Sequence, residues 1–230
     1  MTTVRYVDLA EAAPDEAVVV VDVLRAFTVQ PWLFHRGVAR LLAVASEQRA
    51  FELRDHDLPG AVLVGEIDGR PVPGFDLGNS PTEVADHPSL AGATVVHRTS
   101  AGTQGLARTA GSGLALAASL VTARASAQAL KNAEVAQVTF VITGASHGRD
   151  GDEDLAAAQL IAARIDGDDP DPQPYLDRVV RSQAAEPFHP GGPAWTPPSD
   201  LDHALELDRF DRPLLATASD LPDALEVRTA

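Results

Sequence analysis

The 230-residue chain carries 33 Asp and Glu against 18 Lys and Arg, a formal net charge of -15. That balance argues against a nucleic-acid partner, which needs a basic face, and it means that an anionic ligand requires local arginine or a metal ion to offset repulsion. Cysteine is absent, which excludes disulfides, thiolate zinc sites and a thiol nucleophile, while an apolar fraction of 45% suits one large domain with a full core.

The first eleven residues already carry Arg5, Asp8 and Glu11, and no secretory or transit signal is legible there. No apolar run approaches the roughly 20 residues that cross a bilayer. A soluble cytoplasmic protein with no membrane partner is the expectation, with a homo-oligomer left open.

In chain order, the continuous valine-rich run at 17–21 predicts a strand buried on both faces. A helix follows over 26–36, with Pro31 inside it calling for a late start or a bend. Residues 39–44 read as a strand, Ser46 as the cap of a helix to about Asp55, and 61–64 as the next strand. The Gly- and Pro-rich stretch 65–81 predicts a long functional loop. Further strands are predicted at 93–97, 113–117 and 138–142, with helices at 102–110 and 122–132. Residues 152–165 form the clearest amphipathic helix, with Asp152 as its cap and Leu155, Ala158, Gln159, Ala162 and Ile165 along its face. Composition shifts at Asp166; beyond it only a short helix at 200–207 and a strand at 213–217 stand out. The alternation predicts a single three-layer α/β/α domain over 1–230 with a mixed, largely parallel sheet, and 166–230 as a C-terminal elaboration of it.

Four strand ends carry polar residues, and in open α/β sheets ligands bind outside the carboxyl ends of strands. Asp22 and Arg25 follow the first; such a pair holds a divalent cation and an anion, or else forms a structural ion pair or cap. A haloacid-dehalogenase-type phosphatase would place a second Asp two positions on, where Leu24 stands. Gly65 and Glu66 follow another strand and lead to Asp76, Asn79 and Ser80, which offer anion contacts or merely cap a following helix. The turn Arg98-Thr99-Ser100-Ala101-Gly102-Thr103 suits an anion at a helix start, although it lacks the Gly-Lys-Ser/Thr of a P-loop. Thr143 and Gly144 precede Asp150, Asp152, Glu153 and Asp154, acids that a helix N-terminus also favours by itself. His147 offers a proton carrier, though a lone loop histidine is more often a bystander, and no histidine spacing suggests zinc. Together the four ends point to one shared anion and metal site.

Taken in order, these motifs resemble the 2-phosphosulfolactate phosphatase family. Asp-Val-Leu-Arg-Ala stands at 22–26, Gly-Glu at 65–66, Gly-Phe-Asp-Leu-Gly-Asn-Ser-Pro at 74–81, Thr-x-x-Gly-Thr at 99–103 and Glu-Asp at 153–154. The resemblance implies a three-layer α/β/α fold and a Mg²⁺-dependent phosphatase that releases phosphate from 2-phospho-3-sulfolactate, on the route to coenzyme M. It places Asp22, Glu66, Asp76, Glu153 and Asp154 in the pool of metal ligands, with Asp22, Arg25 and Glu66 as catalytic residues. Arg25, Asn79, Ser80, Thr99, Ser100, Gly102 and Thr103 would contact substrate. A water activated by the metal or by a carboxylate would attack phosphorus in line, with a phospho-aspartate at Asp22 as the rival route. The chain departs from the family pattern at Ala101 and Thr122, where the family has Asn, and at Phe27, where it has Thr. A hydrolase of small phosphorylated acids is therefore expected, and the alternative is a member that has lost catalysis and binds an acidic metabolite or a protein partner.

Overall fold

The computed structural model describes residues 2–230, except that the side chains of residues 146–148 lie outside that description, the expectation for His147 with them. The strands are β1 (Thr3–Asp8), β2 (Ala17–Val21), β3 (Arg40–Val44), β4 (Val62–Ile67), β5 (Arg70–Pro71), β6 (Thr94–Arg98), β7 (Leu114–Ala118), β8 (Gln137–Ile142), β9 (Leu214–Ala218) and β10 (Ala224–Thr229). The α-helices are α1 (Ala26–His35), α2 (Glu47–Glu52), α3 (Pro81–Asp86), α4 (Gly102–Arg108), α5 (Ala123–Asn132), α6 (Asp152–Ile165), α7 (Gln173–Arg181) and α8 (Pro198–Ala204).

The architecture is three-layer α/β/α around a mixed, largely parallel sheet of order β1-β8-β2-β7-β9-β10-β3-β6-β4-β5. Alternation along β2 assigns the layers. Val19 and Val21 pack with Phe140, Leu160 and Ile161 under α5 and α6. Val18 and Val20 pack with Phe27, Leu41, Val64 and Leu106 under α1 and α4.

The parallel strands fall into two sets. β1, β8, β2 and β7 run one way. The antiparallel hairpin β9–β10 joins them to β3, β6 and β4, which run the other way. At the usual strand twist of roughly 20–25° per step, the six steps from β2 to β4 turn the sheet past a right angle. The carboxyl ends of the two sets therefore face one another, and one site draws on both.

Local differences from expectation have physical causes. α1 starts at Ala26 with Pro31 in its interior. Pro31 has no N–H to give the Phe27 carbonyl, and Ser119 Oγ donates to that oxygen instead at 2.9 Å. β4 runs through Glu66 to Ile67 before turning into β5, so the predicted loop begins late. Gly65 permits this, because a Cβ there would overlap the Arg98 carbonyl of β6. Asp152 does not cap α6: Gly151 stands at the N-cap with φ 64°, and Asp152 accepts from Arg178 Nε at 3.0 Å. The buried face of α6 is centred on Glu153, Ala157 and Ile161, not on Leu155 and Gln159, because the sheet, α5 and α7 enclose it. Among the described residues, no helix is long and apolar enough to cross a membrane.

Candidate active site

A cavity of about 450 Å³ opens where the two strand sets meet, lined by Asp22, Arg25, Glu66, Ser100, Arg149, Glu153 and Asp154 among others. Asp22 follows β2 directly, and its Oδ1 accepts from Ala26 N–H at 3.0 Å, capping α1. Gly102, at the start of α4, lies so close that a Cβ there would stand 2.7 Å from Asp22 Oδ2. That contact explains the glycine: it lets the β6 turn approach the β2 carboxylate.

Glu153 and Asp154 enter from α6. Asp154 Oδ1 accepts from Val23 N–H at 2.8 Å, and Oδ2 accepts from Gly144 N–H at 2.7 Å and Thr143 Oγ1 at 3.1 Å. This carboxylate thus clamps the end of β2 to the end of β8. Glu153 Oε2 is buried and has no hydrogen-bond partner among the described residues. A Cβ at Gly144 would overlap the other Glu153 oxygen.

Burial and mutual repulsion shift all three acids. Burial, together with nearby Glu66, raises the Asp22 pKa to about 6. Burial raises Glu153 to about 7, with the Asp22 charge adding to it and Arg149 opposing it. Asp154 is raised well above its ordinary value by burial, then by Glu153 and Asp22. Without a cation the cluster holds protons that a cation would displace.

Glu66 braces the opposite wall. Its Oε1 accepts from Ser100 N–H at 2.6 Å, and Oε2 accepts from Gly69 N–H at 2.6 Å and Ser100 Oγ at 3.2 Å. Arg25 Nη1 donates to Asp200 Oδ2 at 2.7 Å and to the Trp195 carbonyl at 2.8 Å, and its guanidinium lies 5.2 Å from the Phe188 ring centroid. Asn79 lines the cavity, and its Oδ1 lies 3.1 Å from His97 Nε2. His97 is fully buried, and burial lowers its pKa to about 3, so the imidazole is neutral. Its Nδ1 lies 3.2 Å from Gln30 Nε2.

Other predicted residues are held away. Asp76 is exposed, accepts from Leu63 N–H at 2.8 Å and lines a neighbouring cavity of about 410 Å³ with Trp195 and Phe75. Ser80 caps α3 through Glu83 N–H and donates to Asp200 Oδ1 at 2.6 Å. Thr99 and Thr103 bond one another: Thr99 N–H donates to Thr103 Oγ1 at 2.8 Å, and Thr103 N–H to Thr99 Oγ1 at 3.1 Å. Neither threonine lines the cavity. Ala101 does line it, whereas Thr122 is buried at the start of α5 away from it. Of the two missing amides, then, only the one at position 101 touches the cavity.

Sequence reading missed Arg149, Leu24, Phe188 and Thr196 on the wall. Arg149 had a signal, since it is a cation inside the acid-rich stretch 150–154. Phe188 and Thr196 had none, because they arrive from the Pro- and Gly-rich stretch 183–199, far along the chain. Among the described residues, no ready-made cluster of three or more His, Cys, Asp or Glu side chains is set to hold a metal ion.

Residues 3–182 match the pattern of the 2-phosphosulpholactate phosphatase family. The chain belongs to this family. A probable 2-phosphosulfolactate phosphatase of Deinococcus radiodurans is 39% identical over 150 residues, 65% of this chain and 61% of its own length. One of Bacillus subtilis is 32% identical over 177 residues, 76% of each chain. One of Thermus thermophilus is 38% identical over 154 residues, 66% of this chain and 62% of its own. The match thus spans less than two thirds of the Deinococcus and Thermus proteins, and the family pattern stops short of Trp195, Thr196 and Asp200.

Proposed function

We propose that the chain is a Mg²⁺-dependent phosphatase acting on a small phosphorylated organic acid, of which 2-phosphosulfolactate is the first to test. The observation that carries this reading is the buried trio Asp22, Glu153 and Asp154, with one carboxylate oxygen unpartnered, facing a cavity that Arg25 and Arg149 also line. The donor set fits a hard cation. Mg²⁺ is commonly bound through one or two carboxylates plus water and phosphate oxygens, so a three-acid cage is not required. Asp22 and Glu153 would hold it. Asp154 and Glu66 have both oxygens engaged by N–H donors and act as braces. When bound, the ion would neutralise charge on the phosphoryl oxygens.

Arg25 and Arg149 bind those oxygens and stabilise the charge that develops on them in the transition state. Ser100, fixed by Glu66, forms a rigid wall beside them. Leu24 and Phe188 restrict water. The cytoplasmic location and the place of Asn79 at the substrate belong to the same proposal.

The test is phosphate release from a panel of small phosphorylated acids, with Mg²⁺ and with chelator. Chelator-sensitive release, lost in a folded Asp22→Asn variant, is the expected result. Release that ignores chelator, or that survives in Asp22→Asn, overturns the assignment. One observation favours a second reading, a ligand-binding member without turnover: Ala101 lines the cavity where the resemblance implies an amide donor. A protein that binds phosphate without hydrolysis, and gains turnover on Ala101→Asn, would establish it.

A further inference from the structure

Arg25 is placed by a residue distant in sequence. Asp200, at the third position of α8, is fully buried. Its Oδ2 accepts from Arg25 Nη1 at 2.7 Å, while its Oδ1 accepts from Ser80 Oγ at 2.6 Å and Thr82 N–H at 3.1 Å. Both oxygens are therefore committed, and the carboxylate is anchored to the start of α3 on one side and to the guanidinium on the other. The second Nη1 proton goes to the Trp195 carbonyl at 2.8 Å. The guanidinium carbon lies over the Phe188 ring, 5.2 Å from its centroid. Among the described residues, Arg25 makes no hydrogen bond through Nε or Nη2, and the side chain lines the active-site cavity.

We propose that Asp200 is the positioning residue of the active site: it fixes one edge of the Arg25 guanidinium so that the Nε–Nη2 edge is presented, ready oriented, to a single tetrahedral oxyanion. The chemistry is that of a planar fork with five donors, in which one edge can be spent on structure and the parallel donors of another kept for two oxygens of a phosphate. A lone flexible arginine would have to lose its rotamer freedom on binding; here Asp200, Trp195 and Phe188 have already removed it. The brace has an electrostatic consequence as well. Asp200 cancels much of the Arg25 charge at long range, so the contact is selected by geometry more than by attraction. This inference rests on the anion-binding role given to Arg25 above, but not on turnover.

The test measures inorganic phosphate binding by calorimetry at fixed ionic strength, beside kcat and KM for any substrate found. Four proteins form a cycle: wild type, Asp200→Asn, Arg25→Gln and the double variant. Asp200→Asn is expected to weaken phosphate binding about tenfold in the wild-type background and by less than about twofold once Arg25 is Gln. With a substrate, KM should rise more than kcat falls. A purely structural Asp200 would give equal losses in both backgrounds, and that result, or no loss at all, overturns the proposal. If Asp200→Asn does not fold, Arg25→Lys decides. One ammonium has no second edge, so Lys should bind phosphate no better than Gln, and near-wild-type binding by Lys refutes the two-edge reading. Wild type that binds no phosphate also refutes it. Wild type that binds phosphate without hydrolysing any ester instead removes the proposed activity and leaves the positioning role standing.

Discussion

Glu153 joins the chemistry of the site to the stability of the chain. Burial lifts its pKa to about 7 from an ordinary 4.5, so the folded protein keeps a proton that the unfolded chain has released. Stability must then fall as pH rises from about 4.5 to 7 and level off above, at about 1.4 kcal/mol per unit for a single group. Asp22, raised to about 6, adds to the same slope with the same sign. Chemical denaturation of metal-free protein across pH 4–8 should show this decline, and Glu153→Gln should flatten it. That variant should also be more stable than wild type at pH 8 by roughly 1–3 kcal/mol, while losing the stabilisation expected from the proposed Mg²⁺. A wild-type profile that rises through this window would contradict the raised values. Gly102 is a second residue-scale constraint. Gly102→Ala places a methyl 2.7 Å from Asp22 Oδ2 and 2.8 Å from the Ala26 Cβ, and should cost roughly 1–3 kcal/mol in urea unfolding together with most of the response to the proposed Mg²⁺.

At the scale of elements, α1 shows how a local rule is broken and repaired. Pro31 leaves the Phe27 carbonyl without its helical donor, and Ser119 supplies one. Ser119→Ala should therefore cost about 1–2 kcal/mol, and less in a Pro31→Ala background, where the backbone donor returns. Equal losses in the two backgrounds would mean that Ser119 acts through its other contacts. The same helix shows what the sequence makes legible. Asp22 and Arg25 follow an apolar strand, Glu66 stands near the end of one and Glu153 in the first turn of the helix after one, and acids at such places carry their own signal. The direction in which a side chain points does not. Thr99 and Thr103 sit four apart, where each can cap the other, and that exchange turns them from the cavity. Asp76 is taken by the Leu63 N–H, and Ser80 by the start of α3. β1 and β10 escape prediction because their runs, TVRYVD and ALEVRT, interleave polar and apolar residues too weakly. Asp200 is 175 residues from Arg25, a distance over which spacing carries no information.

For the whole molecule, the hairpin β9–β10 is decisive. It sits between β7 and β3, with Leu214 and Val227 buried, and it links two parallel sets that otherwise share no pairing. A chain cut after residue 182, at the end of the stretch matching the family, should show no cooperative unfolding transition. Supplying residues 183–230 in trans should restore one only if the hairpin can insert. A stable, cooperative 1–182 fragment would show that the two sets close without it. The position of this hairpin also governs timing. A ribosome makes Asp22 well before residues 214–229, so the emerging chain carries its acids before the hairpin can join the two strand sets. Until the hairpin enters the sheet, those carboxylates lack the opposite wall of the cavity, Glu66 and Ser100, and with it the enclosed site the proposed reaction needs. The enzyme we propose would thus be silent until residues 214–229 are made, and would switch on in the step that completes its sheet.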